Sequence, residues 1–339
     1  MQFPRLSLFI FTIACYLLSA CDQSPITWQA AKSEQISLSG DIWAGKPIGK
    51  KLSVPDLGPE SKRQWESFVQ DSMSLMGDED LIPLSLALFL EERQSRYIEV
   101  LERSLWNDGL VNAYRNNDST YHPADLTYVS GPDSLFINLY VAGLAELSVN
   151  GQALTINVRT RYPWEESISL EIQSESELTF TIGLRIPGFS RNQAVPGNPY
   201  RYLYTSNRKL ELRINEDLTM PDAQEGYAFV TRSWRDGDKL DLVLPMAVRR
   251  VQKEKIPALI ALEKGPILYG IPQENVPLDL RLSKSRQYFL VDSLEGRTRT
   301  NWLRGPIWQD DQMIETLAAP LYHLESRKIK ALNYALPYR

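Results

Sequence analysis

The spacing of apolar residues changes near residue 133 from the period of a helix to the period of a strand. Before that point, apolar side chains recur at intervals of three and four residues, as in Trp65, Phe68 and Val69, which predicts amphipathic helices. Two or three helices fit between residues 59 and 108. Asn107-Asp108-Gly109 is expected to end the last of them, because glycine and asparagine are common just after a helix.

From residue 133 onward, apolar and polar residues alternate in short segments separated by turn-forming residues. Asn150-Gly151 lies between two alternating runs, which is a strong hairpin signal, and Asp236-Gly237 predicts a second hairpin turn. The segments predicted as strands are 135–141, 144–160, 167–173, 178–186, 209–214, 226–234, 239–251, 257–263 and 266–271. Many short strands with regular turns indicate sandwiches. The predicted fold class is therefore α+β and mainly β, a short helical segment followed by antiparallel β-sandwich domains.

The first twenty residues have the pattern of a bacterial targeting signal. Arg5 precedes an uncharged apolar run over residues 6–18, which is shorter than the roughly 20 residues that span a bilayer. Leu18-Ser19-Ala20-Cys21 resembles the lipobox, in which the cysteine thiol receives a lipid and becomes the mature N-terminus. An ordinary signal peptide cut near Ala20 is the alternative. Asp22 resembles the residue that retains some lipoproteins at the inner membrane, so we expect the periplasmic face of that membrane in the cell envelope.

Composition narrows the chemistry that the chain can carry. The net charge is −5 and no basic block occurs, so nucleic acid is not an expected partner. Both cysteines, Cys15 and Cys21, precede residue 22, so the mature chain is expected to lack disulfides and thiolate chemistry. His122 and His323 are the only histidines, too few for a histidine-rich metal centre. We therefore expect no metal and no cofactor, and a membrane link through the lipid on Cys21.

These patterns divide the chain into five parts. The predicted parts are a lipoprotein signal peptide at 1–20, a tether and irregular lead-in at 21–58, a helical segment at 59–130, a β-sandwich region at 131–272 and a C-terminal β-rich segment at 273–339.

Five motifs in a fixed order carry a resemblance to a known family. They are SLFINLYVAG (134–143), RYPWEESISLEI (161–172), FTIGLRIPGFSRN (180–192), EGYAFVTRSWRDGDKLDLVLPMAVRRV (225–251) and LIALEKGPILYGI (259–271). Together they resemble the non-catalytic β-sandwich portion of glycoside hydrolase family 127, the β-L-arabinofuranosidase-type enzymes. YIEVLERSLWN (97–107) resembles the helix that precedes those sandwiches. Trp164 and Trp234 are large enough to anchor packing between sheets.

The catalytic motifs implied by this resemblance have no counterpart here. The resemblance implies a helical barrel ahead of the sandwiches, with a cysteine nucleophile held by zinc, neighbouring cysteines and a glutamate, and a second glutamate as acid/base. Where Glu-x-Cys is expected, this chain has Ser74-Leu75-Met76, and no cysteine lies between Trp106 and the motif at 134–143. We therefore expect a relative with a reduced helical region and without catalytic residues of that kind.

Carboxylates on the predicted helices are the remaining candidates for catalysis. The segment EERQSRYIEVLER (91–103) interleaves acidic and basic residues at i and i+4, a pattern typical of a solvated helix surface. We therefore expect Glu91, Glu92, Glu99 and Glu102 to be solvated rather than catalytic.

Three functional hypotheses are open at this point. The first is a lipid-anchored, catalytically inactive envelope protein that binds a glycan or a protein partner. The second is a glycosidase for arabinofuranoside-type glycans that uses carboxylates in an aromatic-lined cleft between the helices and the first sheet. The third is a decayed product with apolar surface exposed where a barrel once packed. Candidate glycan-binding residues are Trp106, Tyr114, Tyr121 and His122, with core or loop packing as the alternative for each.

Overall fold

The computed structural model describes residues 29–30, 36–38, 48–72, 76–115, 120–195, 200–254, 256–272, 281–282, 289–295, 298–309, 312–326, 331–332 and 336–337. The predicted signal peptide, with Cys21, and Asp22 lie outside the described residues. Within the predicted lead-in at 21–58, the described residues form three short strands that pair with later parts of the chain.

The helices lie mostly where the apolar spacing predicts them. They are α1 (Ser61–Ser67), α2 (Ile82–Glu92), α3 (Ser95–Arg103), α4 (Leu110–Arg115) and α5 (Leu321–Ser326). α1 runs into a π-helical turn at Phe68–Ser72, and α3 is joined to α4 by a second at Ser104–Gly109. The predicted helix end at 107–109 is therefore wrong. The chain stays helical there because Asn107 turns its amide inward and donates to the Arg103 carbonyl, instead of capping a helix end.

The strands are numbered in chain order. They are β1 (Gln29–Ala30), β2 (Ile36–Leu38), β3 (Ile48–Lys50), β4 (Thr120–Tyr121), β5 (Tyr128–Ser130), β6 (Ser134–Ile137), β7 (Gly143–Val149), β8 (Gln152–Thr160), β9 (Ser167–Gln173), β10 (Leu178–Arg185), β11 (Tyr200–Tyr202), β12 (Glu211–Ile214), β13 (Asp217–Thr219), β14 (Asp222–Gln224), β15 (Tyr227–Trp234), β16 (Lys239–Val243), β17 (Val248–Lys253), β18 (Ile256–Lys264), β19 (Ile267–Pro272), β20 (Arg281–Leu282), β21 (Phe289–Glu295), β22 (Thr298–Gln309), β23 (Gln312–Pro320), β24 (Ala331–Leu332) and β25 (Leu336–Pro337).

Three large sheets organise these strands. The first sheet has the order β1-β5-β6-β10-β15-β14, and the second has the order β13-β12-β16-β9-β8-β7-β2. The third follows the path β11-β17-β18-β19-β23-β22-β20, with β21, β24 and β25 paired beside it, while β3 and β4 form a separate pair. Pairing is antiparallel except between β6 and β10 and between β3 and β4. The predicted α+β, mainly β class is confirmed.

The first and second sheets form a sandwich because their strands alternate apolar side chains toward a shared core. Leu135 and Ile137 of β6 face the second sheet, together with Trp234 at the end of β15, which is fully buried. Phe136 points the opposite way, and its ring lies 5.7 Å from that of Phe89 in α2. The helices and the third sheet thus share a second core on the outer face of the first sheet.

The two turn predictions have different outcomes. Asn150-Gly151 joins β7 to β8 as a two-residue hairpin, with positive φ angles of 53° and 72°. Asp236-Gly237 does not make a hairpin, because β15 belongs to the first sheet and β16 to the second. The predicted strand 239–251 is likewise divided between the second and third sheets, as β16 and β17. Among the described residues no helix has both the length and the apolar character needed to cross a bilayer.

Candidate functional site

The face of α3 that the charge pattern predicts to be solvated is largely buried. Glu91 is exposed as expected, but the side chain of Glu102 is only 2% exposed and that of Glu99 only 10%. Both carboxylates face Arg185 of β10, with Arg185 Nη2 lying 2.5 Å from Glu102 Oε2 and Nη1 lying 3.5 Å from Glu99 Oε2. The prediction for Glu99 and Glu102 is therefore wrong, because their partner comes from a strand more than eighty residues away.

Aromatic and amide groups complete the environment of Arg185. Its Nε donates to the Asn138 carbonyl at 2.6 Å, and its own carbonyl accepts from the Tyr140 hydroxyl at 2.5 Å. The Tyr162 hydroxyl donates to Glu102 Oε1 at 2.5 Å. Burial raises the pKa of Glu102 even though Arg185 opposes that shift, and burial together with Glu102 raises the pKa of Tyr162 well above its ordinary value. We call Glu99, Glu102, Arg185 and Tyr162 the α3 cluster.

A second buried ion pair joins α3 to the third sheet. Arg103 Nη2 lies 2.9 Å from Glu263 Oε2 in β18, and both side chains are buried. The Tyr202 hydroxyl donates to the other Glu263 oxygen. One turn further on, the Asn107 amide donates to the Pro266 carbonyl, and its oxygen accepts from the Leu268 backbone N–H, each at 2.9 Å. α3 and the π-helical turn after it are therefore attached to two sheets by polar contacts in addition to apolar packing.

A cavity of about 750 Å³ lies beside the α3 cluster. It is bounded by the start of α3, the segment after β10, β11 and the turn between β14 and β15. Most of its lining residues have polar or charged side chains, while apolar atoms make up the larger share of its surface. The lining residues are Gln94, Ser95, Arg96, Glu99, Ile186, Gly188, Arg191, Asn192, Gln193, Ala194, Val195, Tyr200, Arg201, Tyr202, Thr205, Ala223, Glu225 and Gly226.

Backbone contacts hold the walls of this cavity close together. The Ser95 N–H donates to the Glu225 carbonyl at 3.1 Å, and the Ile186 N–H donates to the Gly226 carbonyl at 2.8 Å. Gly226 has a φ of +81°, and a Cβ there would lie 1.9 Å from Ser95 Oγ. Glycine is therefore required both by the backbone angle and by the approach of α3.

One side chain connects the cavity to the α3 cluster. Glu99 lines the cavity and also accepts from the Gly188 N–H at 2.7 Å, while Arg191 Nη2 lies 3.3 Å from the same oxygen. Arg191 Nε donates to the Ile186 carbonyl at 2.9 Å, which fixes its direction. Glu99 thus holds the segment after β10 in place. Hydroxyl, amide and guanidinium groups lie around the cavity as a result.

The residues predicted to bind glycan lie elsewhere. Trp106 and Tyr121 are buried in the core shared by the helices and the third sheet. His122 is half-buried and its Nδ1 accepts from the Ala124 N–H at 3.2 Å, where it caps a 3-10 turn. Tyr114 lies in α4, and its side chain is outside the described part of the structure. None of the four lines the cavity, and their role in glycan binding stays a prediction.

Sequence reasoning missed the cavity residues because they come from four separate segments. The motif FTIGLRIPGFSRN contains Arg185, Gly188, Arg191 and Asn192, but the resemblance ties the motif to the sandwich, not to a cavity. A polar segment that directly follows a buried strand was the one available signal. Trp164 is half-buried against the third-sheet core, with its ring 5.6 Å from that of Tyr322, so it packs outside the sandwich. Within the described ranges, no group of three or more His, Cys, Asp and Glu side chains could hold a metal ion.

Comparisons with known proteins agree with this architecture. Residues 134–246 match the family model described as beta-L-arabinofuranosidase, GH127 middle domain. None of the curated proteins compared with the chain matches it in sequence.

Three solved structures are similar in fold. A GH127 β-arabinofuranosidase has a TM-score of 0.72 and 21% identity, covering 81% of this chain and 55% of its own. A GH127 β-L-arabinofuranosidase from Geobacillus stearothermophilus T6 has a TM-score of 0.66 and 19% identity, with coverages of 83% and 58%. A structure described as a glycoside hydrolase has a TM-score of 0.63 and 16% identity, with coverages of 76% and 51%. The chain therefore spans little more than half the length of these structures. Residues 134–246 are of the GH127 middle-domain type, and the fold around them resembles that of GH127 β-L-arabinofuranosidases.

Proposed function

We propose that this chain is a non-catalytic, glycan-binding relative of the GH127 enzymes, attached to the bacterial envelope by a lipid. The observation that carries the glycan-binding proposal is the cavity between α3, β11 and the segment after β10, which combines polar side chains with apolar surface. Small-molecule sites are concave and present a few convergent polar groups. Here Ser95 and Gln193 supply a hydroxyl and an amide group that match sugar hydroxyls, and Tyr200 and Tyr202 supply aromatic rings.

The chemistry of the chain supports binding over turnover. Both cysteines lie within the first 21 residues, so the cysteine and zinc chemistry that the family resemblance implies has no thiol in the rest of the sequence. Glu99, the member of the α3 cluster that lines the cavity, accepts a backbone N–H and lies beside two guanidinium groups. These contacts favour a structural role for the Glu99 carboxylate over a catalytic one.

A carboxylate-based glycosidase is the second candidate function, favoured by one observation. Glu99 and Glu225 both line the cavity, and glycosidases of the ordinary kind use two carboxyl groups on either side of the scissile bond. The test is hydrolysis of p-nitrophenyl arabinofuranosides by the protein beginning at Asp22, with and without added zinc. We expect no turnover. Turnover that is lost in Glu99→Gln or Glu225→Gln would establish the second candidate and exclude the first.

The decayed-product hypothesis predicts exposed apolar surface on the helices. The large apolar side chains exposed among the described residues are Val54, Leu144, Tyr204, Leu218, Met220, Met313, Ile314 and Leu317. None of these lies between Ser61 and Arg115, so the helical segment presents no exposed large apolar face within its described side chains. The absence of such a face argues against the decayed-product hypothesis.

Glycan binding can be tested by filling the cavity. Ala223 lies exposed on the edge strand β14 and lines the cavity, so Ala223→Trp introduces an indole there without altering a buried contact. Ala153, exposed on β8, offers a matched control in Ala153→Trp. We expect the oligosaccharides that bind the parent protein on a glycan array to bind Ala153→Trp equally and Ala223→Trp at least about tenfold more weakly. Equal binding by all three proteins, or by none, would overturn the proposal.

The lipid anchor rests on the sequence around Cys21 and has its own test. When the full-length chain is expressed in a Gram-negative host with an alkyne fatty acid, we expect label on the protein and recovery of the protein in the membrane fraction. Cys21→Ser is expected to abolish the label. Label that persists in Cys21→Ser would contradict the anchor.

A further inference from the structure

The charges around the cavity are not balanced. Two of its arginines are paired: Arg191 lies beside Glu99, while Arg96 lies 3.2 Å from Glu66 and 3.6 Å from Glu92. Their positive charges are therefore offset by carboxylates of the chain itself.

Two other arginines have no such partner: Arg201, which lines the cavity, and Arg249, which contacts the lining residues Tyr202 and Asn192 without lining the cavity itself. Arg249 is nearly buried, with its guanidinium 5.0 Å from the centre of the Tyr202 ring. It donates to neutral oxygens only, at 3.0 Å to the Tyr204 carbonyl, 3.4 Å to the Phe189 carbonyl and 2.8 Å to Asn192 Oδ1. Among the described residues no carboxylate lies within 4 Å of it, and its Nε has no hydrogen-bond partner. Glu263, the carboxylate whose charge acts on Arg249, is already paired with Arg103.

Arg201, which lines the cavity from β11, is the second. Its Nη2 donates to Gln252 Oε1 at 2.7 Å, and no carboxylate of the described residues pairs with it. Glu225 lines the cavity as well, and both Arg201 and Glu225 are exposed, so solvent and salt weaken the attraction between their charges. A nearly buried guanidinium without a counter-charge is destabilising. An anion in the cavity would provide the counter-charge that Arg249 lacks.

We propose that the cavity binds an anionic glycan, with Arg201 and, through Asn192 and Tyr202, Arg249 selecting a sugar that carries a carboxylate or a sulfate ester. This proposal rests on the glycan-binding function above and narrows its ligand class. Guanidinium groups match both anions because their N–H groups form a planar fork. Neutral furanosides would leave the positive charge on this wall uncompensated.

The test compares three related probes by isothermal titration calorimetry on the protein beginning at Asp22. The probes are a galacturonic acid trisaccharide, its fully methyl-esterified neutral form, and a sulfated galactose trisaccharide. We expect one or both anionic probes to bind about 10- to 100-fold more tightly than the neutral form, the size of one or two charge-assisted hydrogen bonds. The anionic probe that binds more tightly shows whether the preferred group is a carboxylate or a sulfate ester. The preference should decrease when salt is raised.

Two variants assign the preference to this wall. Arg201→Gln is expected to reduce the ratio of anionic to neutral affinity about tenfold, and Arg249→Lys, which keeps the charge but loses the fork, should also reduce it. Arg235→Gln changes an exposed arginine outside the cavity and should leave the ratio unchanged. If neutral glycans bind as tightly as anionic ones, the anionic class is wrong while the glycan-binding function stands. If no glycan binds in any arm, including the array above, both proposals fail.

Discussion

The α3 cluster allows a sharp test of whether buried charge organises this fold. Replacing Arg185 with methionine keeps most of the side-chain volume but removes the cation that faces Glu99 and Glu102. Two carboxylates would then remain where the side chain of Arg185 is 0% exposed and that of Glu102 is 2% exposed. Removing one partner of a buried ion pair costs about 3–5 kcal/mol, and the loss of the bond from Nε to the Asn138 carbonyl adds about 1 kcal/mol. We expect Arg185→Met to lower the free energy of unfolding by about 4–6 kcal/mol.

The chain contains a matched control for this change. Arg208 pairs with Glu166 through two nitrogens, but its side chain is 54% exposed and that of Glu166 is 23% exposed. Exposed pairs contribute about 0–1 kcal/mol, so Arg208→Met should cost less than about 1 kcal/mol. Urea unfolding, followed by tryptophan fluorescence at pH 7, compares the two variants in one assay.

A double variant separates charge from packing. In Arg185→Met/Glu102→Gln, a neutral amide replaces one of the two uncompensated carboxylates, and its oxygen can still accept from the Tyr162 hydroxyl. We expect this protein to regain at least about 2 kcal/mol relative to Arg185→Met, because a buried unpaired charge is removed. The reasoning is refuted if Arg185→Met costs no more than Arg208→Met, or if the double variant is less stable than Arg185→Met.

Two further predictions concern local geometry. Burial lowers the pKa of His122, so the stability contributed by its neutral ring is complete above the ordinary pKa of about 6.5 and is lost as pH falls through the lower folded pKa. His122→Asn, whose amide oxygen can still accept from the Ala124 N–H, should therefore make the urea midpoint depend less on pH between pH 7 and pH 5. A pH dependence equal to that of the parent protein would contradict this. Gly226→Ala should reduce the melting temperature far more than Gly237→Ala, since both glycines have φ near +81° but only a Cβ at Gly226 would meet Ser95; equal losses would show that backbone strain alone decides.

Local signals in the sequence are sufficient for most elements of this fold. Alternation over the segments at 167–173 and 178–186 predicts β9 and β10 almost to the residue. It does so because the two-residue period of a strand can be detected from adjacent residues alone. Asp236-Gly237 shows the limit of such signals. The turn exists, with Gly237 at a φ of +82°, but the sheets that β15 and β16 join depend on distant partners. Local pattern predicts a turn and does not identify which strands pair.

The candidate site shows the same limit more strongly. The acidic and basic residues of α3 follow the spacing of a solvated helix, and only the partner from β10 turns that face into a buried cluster. The apolar residues between them, Tyr97, Ile98, Val100 and Leu101, are all fully buried, so α3 is covered on most of its surface, apart from the part that borders the cavity. A helix whose charged positions alternate with such residues is compatible with either environment. The choice between them is a tertiary contact that the helix sequence alone does not contain.

The placement of the α3 cluster limits how this protein can be divided. The segment 134–246 that matches the GH127 middle domain contains Arg185 and Tyr162 but neither Glu99 nor Glu102. If the segment were excised, Arg185 would lose both of its counter-charges, and Phe136 on the same sheet would lose its contact with Phe89 of α2. We therefore expect the unit that folds stably to be larger than the segment recognised by sequence similarity, and a transplantable module to need α3. Recombination or truncation between residues 115 and 134 is therefore expected to yield an unstable sandwich.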